Sequence, residues 1–109
     1  MIQKCKKRWE LTQTQKDAYI EKLTSKLVAL RAQANISQQE LANMIGVSRQ
    51  TFYALENRKR RMSWNTYMSL ILVFDTVEET KQMLRDLDAY PTELMQRMQN
   101  QKHFNAEEE

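Results

Sequence analysis

A chain of 109 residues with a formal charge of +3 holds one ordinary domain with a modest core, and its single glycine and single proline suit an all-α protein with short connections. Charge is lopsided: residues 1–74 carry 13 Lys and Arg against 5 Asp and Glu, whereas residues 75–109 carry 4 against 9. The lone Cys5 and lone His103 form no pair with metal-ligand spacing and one glycine cannot build a phosphate-cradling loop, so no enzyme, no catalytic or metal-binding residue and no cofactor is expected.

In chain order, residues 1–13 form a basic N-terminal arm in which Lys4, Lys6, Lys7 and Arg8 precede Trp9. Such a run suits either a minor-groove arm or a solubilising tail. Thr12 and Thr14 are alternative caps for a long first helix reaching about residue 34, with Ile20, Leu23, Leu27, Leu30 and Ala34 as its inward stripe. Ser37 and Glu40 then make a capping box, and Ile36 with Leu41 makes a hydrophobic staple, so a helix begins at Gln38. Gly46 ends it by taking the left-handed conformation cheaply. Ser48 caps the next helix, with Val47 and Phe52 as staple, over residues 49–57. At roughly 100° per residue, Thr51, Phe52 and Leu55 fall on one side; Arg49, Gln50, Tyr53, Ala54 and Asn57 fall on the other. Arg pairs with guanine and Gln with adenine in the major groove, so this outer face has the side chains of a base reader. Arg58, Lys59, Arg60 and Arg61 follow, placed to lie along a phosphate backbone.

Downstream, Ser63 caps a helix over 64–74 that is apolar on more than one side and needs cover beyond its own face. Thr76 and Glu79 predict a further capping box, and Pro91 suits the start of a last helix bearing Leu94, Met95 and Met98. Residues 105–109 are polar and acidic and are expected to be disordered. This acidic, methionine-rich extension is expected either to dimerise or to buttress the domain, with dimerisation ahead.

Residues 37–57, SQQELANMIGVSRQTFYALEN, together with Arg31 before them and residues 64–74 after, resemble the lambda repressor/Cro-like (XRE-type) helix-turn-helix family of bacterial and phage regulators. The resemblance covers about residues 23–74 and implies a DNA-binding domain of four or five helices whose third helix enters the major groove; the domain is expected over residues 14–74, with a helical extension over 75–109. It implies that Gln38 touches phosphate, that Ser48, Arg49, Gln50, Tyr53 and Ala54 face DNA, and that Arg31 pairs structurally with Glu56. Many members carry glycine where this chain has Arg58; Asn57, which tolerates a left-handed backbone, is expected to take the cap instead.

The expected function is sequence-specific, double-stranded DNA binding by a transcriptional regulator, a repressor, acting as a homodimer in the cytoplasm. The alternative is an antitoxin-like interaction module whose protein partner is held through residues 64–104. No signal peptide or membrane-length apolar run is visible, and a lone Cys fits a reducing compartment.

Overall fold

The computed structural model describes residues 10–108, with side chains over residues 10–100. The basic run from Lys4 to Arg8, Cys5, Trp9 and the side chain of His103 lie outside the described residues. Among the described residues there are seven helices and no strand: α1 (Gln13–Ser25), α2 (Leu27–Ala34), α3 (Gln38–Ile45), α4 (Arg49–Glu56), α5 (Trp64–Phe74), α6 (Glu78–Asp86) and α7 (Thr92–Glu108). The fold is all-α, as the composition predicts.

Thr12 caps α1 through a full capping box: its Oγ1 accepts from the Gln15 amide at 3.2 Å and its own amide donates to Gln15 Oε1 at 2.8 Å. The expected single helix to residue 34 is instead broken at Lys26, whose backbone leaves helical geometry at φ −121°. Two hydroxyls just before the break turn inward on the helix, Thr24 donating to the Ile20 carbonyl at 2.7 Å and Ser25 to the Lys22 carbonyl at 2.8 Å. Such back-bonding competes with the helical ladder and bends helices. The inward stripe survives the bend, for Leu23, Leu27 and Leu30 are completely buried.

Serine caps then set the next three helices, with Ser37, Ser48 and Ser63 accepting from the amides of Glu40, Thr51 and Thr66 at 3.0, 3.0 and 3.1 Å. The staple partners Leu41 and Phe52 are fully buried, with Ile36 and Val47 packed partly buried against the same core. The predicted box at Thr76 does not form. Val77 occupies the cap position of α6 with no side-chain cap bond, because the Thr76 hydroxyl donates to the Val73 carbonyl at 2.6 Å, closing the end of α5. Buried Thr80 makes the join by donating to the Phe74 carbonyl at 2.7 Å.

One core unites these elements. Leu84 and Ala89 lie in the same buried cluster as Leu23, Leu41, Phe52 and Phe74, so α6 buttresses α2 and α5 from within the chain. Tyr67 is fully buried and its hydroxyl donates to the Ala89 carbonyl; burial pushes its phenol well above the ordinary range. The start of α7 rests on α1 and the residues before it, where Gln15 donates to Glu93 at 3.1 Å and Arg97 to the Glu10 carbonyl at 2.7 Å. The α7 backbone stays helical to Glu108, through residues for which the sequence reading expects disorder.

Candidate nucleic-acid interface

The turn between α3 and α4 is built by Gly46 at φ 81°, whose amide and that of Val47 both donate to the Ala42 carbonyl, at 2.9 and 3.0 Å. A β-carbon at Gly46 would meet nothing within 4 Å, so glycine is needed there for its backbone conformation and not for close approach. Phe52 and Leu55 then hold the inner face of α4 in the core. On the outer face Ser48, Arg49, Gln50, Tyr53 and Asn57 are exposed and Ala54 is half-buried. These are the residues grouped by sequence, brought to one surface. Ser48 and Asn57 have local duties: the Ser48 hydroxyl caps α4 and bonds Thr51 Oγ1 at 3.0 Å, and the Asn57 amide donates to the Tyr53 carbonyl at 2.9 Å. Among the described residues, the side chains of Arg49 and Gln50 have no hydrogen-bond or ion-pair partner.

What fixes the orientation of α4 is a knot at its C-terminal end. Glu56, with a side chain 3% exposed, accepts Arg31 Nε at 2.8 Å and Arg31 Nη2 at 3.1 Å, a bidentate pair. Gln38 donates to the same carboxylate at 2.7 Å, and Arg31 also reaches the Ile36 carbonyl at 3.3 Å. Gln38, expected on phosphate, thus spends one amide hydrogen tying α3 to α4, with the rest of its amide at a half-buried surface.

The left-handed cap falls at Arg58 (φ 60°), not at Asn57, which has φ −96°. The hydrogen bonds explain why. Lys59 donates to the Ala54 carbonyl at 2.8 Å and Arg58 to the Leu55 carbonyl at 3.2 Å, the paired closure of a Schellman motif in which the residue after the C-cap must be left-handed.

The four loop cations divide. Arg58 donates to Glu21 of α1 at 2.5 Å and Arg61 to Asp17 of α1 at 2.8 Å, whereas the Lys59 ammonium sits 5.8 Å from the centre of the Tyr53 ring. Among the described residues Lys59 and Arg60 form no ion pair. The Arg58 guanidinium holds the Glu21 carboxyl below its usual range; the Gln13 amide, then Arg61, do the same for Asp17. Sequence reasoning missed Asp17 and Glu21. Their spacing of four puts them on one helix face, but only the tertiary fold turns that face to the loop.

Among the described residues no group of three or more His, Cys, Asp or Glu could hold a metal, and no helix is long and apolar enough to cross a membrane. No curated protein and no solved structure matches the chain. Residues 27–63 match the helix-turn-helix family, a span from the start of α2 through the basic loop that excludes α1. Residues 27–63 are therefore similar to the helix-turn-helix units of lambda repressor/Cro-like (XRE-type) regulators, within an all-α fold.

Proposed function

We propose that the protein is a sequence-specific transcriptional repressor of the cytoplasm that binds operator DNA as a homodimer, inserting α4 into the major groove. One observation carries the reading: Arg49 and Gln50, in the first turn of a helix otherwise locked by Phe52, Leu55 and Glu56, are exposed and uncommitted among the described residues. A rigidly held helix presenting free donors loses little on meeting base edges. Tyr53 and Ala54 extend the same face, while Gln38, Ser48, Asn57 and the loop from Arg58 to Arg61 set register on phosphates. Lys59 and Arg60 are the loop cations freest to do so. Two copies reading half-sites about 34 Å apart would multiply the modest affinity of one.

Selection of bound sequences from a random duplex pool, followed by binding assays on variants, tests this. Arg49→Ala and Gln50→Ala should each cost about 1–3 kcal/mol on the selected site and relax it at one base position, and Lys59→Ala should weaken all sequences alike. Equal losses for Gln50→Ala on selected and random DNA would refute base reading by that residue.

A second reading, a protein partner held antitoxin-fashion through residues 64–104, is favoured by an open apolar cavity of 480 Å³ lined by Met68, Leu94, Met95 and Met98. A purified chain that is a stable dimer with tight DNA binding would remove the need for an obligate partner.

A further inference from the structure

We infer that Asp17 and Glu21 of α1 are an acidic latch that holds Arg58 and Arg61 away from phosphate, lowering affinity for random DNA and so raising the discrimination of the helix-turn-helix. The inference rests on α4 and its following loop being the DNA-binding surface.

Four consecutive cations beside a recognition surface would bind any duplex, since each phosphate neutralised releases a counterion whatever the base sequence. Half of them are neutralised in this chain. Asp17 and Glu21, one helical turn apart, face the loop and take Arg61 at 2.8 Å and Arg58 at 2.5 Å. Lys59 and Arg60 between them have no carboxylate partner among the described residues. The pairs are poorly explained as stabilisers, for all four side chains are substantially exposed, at 50% and 62% for Arg58 and Glu21 and 75% and 45% for Arg61 and Asp17. Ion pairs so open to water contribute little to folding. The same openness makes them easy to exchange. A phosphate held close by a seated α4 can replace the carboxylate, while the looser approach of random DNA leaves the latch shut. The carboxylates of α1 lie outside the span that matches the helix-turn-helix family, and the loop cations they hold lie within it.

The test compares the full chain with the Asp17→Asn/Glu21→Gln variant on random-sequence duplex across a salt series, and on the selected site. Each extra phosphate contact adds about 0.9 to the slope of log affinity against log salt. Freeing both arginines should therefore steepen the random-duplex slope by about 1.8, raise random affinity and shrink the ratio of selected to random binding. Glu78→Gln/Glu79→Gln is the control, adding the same charge at exposed positions of α6, and should leave the slope near that of the parent chain. Adding Arg58→Ala and Arg61→Ala to the latch variant should restore the parent slope. An unchanged slope in the latch variant, or an equal shift in the control, would overturn the inference. Failure of the parent chain to select any site would instead sink the reading beneath it, and the random-duplex slopes would still decide whether the latch exists.

Discussion

Replacing Glu56 by Gln keeps the shape of the side chain and removes its charge from beneath three donors. Two Arg31 nitrogens and the Gln38 amide converge on the two carboxylate oxygens at 2.7 to 3.1 Å. A Gln offers one accepting oxygen, and its amide group turns a donor toward a donor. Hydrogen bonds to charged groups contribute about 1.5–3 kcal/mol each, and removing one partner of a buried pair costs about 3–5 kcal/mol because the other charge is stranded. Arg31 keeps its bond to the Ile36 carbonyl and is 17% exposed, so water reaches it and the loss should fall at the low end, about 3 kcal/mol. In a urea titration with m near 2 kcal/mol/M, that moves the midpoint down by about 1.5 M with m unchanged. Arg31→Met/Glu56→Leu, which removes both charges and fills the space with apolar atoms, should recover most of the loss. A single variant within about 1 kcal/mol of the parent, or a double variant as unstable as the single, would refute the argument that a stranded charge is what costs.

The remaining expectations concern backbone and surface. Arg58→Gly removes a left-handed L-residue that costs about 1–2 kcal/mol, against loss of a solvent-exposed pair with Glu21 that contributes little, so thermal unfolding should rise by up to a few degrees. Gly46→Ala, with nothing for the new methyl to strike, should lose only the conformational cost of about 1–2 kcal/mol; a loss above about 3 would mean that the turn tolerates no adjustment. Leu72 and Met98 are 70% and 50% exposed, so if the proposed homodimer buries them, Leu72→Asp with Met98→Asp should leave the melting temperature nearly unchanged and yield a monomer in sedimentation. A variant that is dimeric would exclude these two residues from the proposed interface.

The features legible in the sequence are those closed within four residues. Ser37 with Glu40, and the caps Ser48 and Ser63, each complete their hydrogen bonds locally, and the staple partners Leu41 and Phe52 are buried where the spacing predicts. The outer face of α4 follows from those boundaries by helical geometry alone. Thr76 misled because its hydroxyl had a second suitor, the Val73 carbonyl at the end of α5, that the pattern of a capping box does not weigh. The break at Lys26 was hidden because the apolar stripe continues through it: a bend of one residue leaves Leu23 and Leu27 on the same side. Asp17 and Glu21 were illegible for a different reason, since their partners stand 44 and 37 residues away.

The ends of the helices carry the most general of these lessons. Asn35, Gly46, Arg58 and Asp88 all have positive φ, and each follows a helix in which the next residue donates back across the turn, Ile36 to Arg31, Val47 to Ala42, Lys59 to Ala54 and Ala89 to Leu84. One motif thus ends four helices in a chain with a single glycine. Residue preference would have moved the third of these turns to Asn57, one place early. It did not, because burying Leu55 decides where α4 stops, and an orphaned carbonyl costs about 1–3 kcal/mol against roughly 1–2 for a left-handed arginine that water and Glu21 can accommodate. The residue left in that position has a consequence for binding that glycine would lack. It carries a guanidinium beside the proposed recognition surface, where Glu21 of α1 pairs with it.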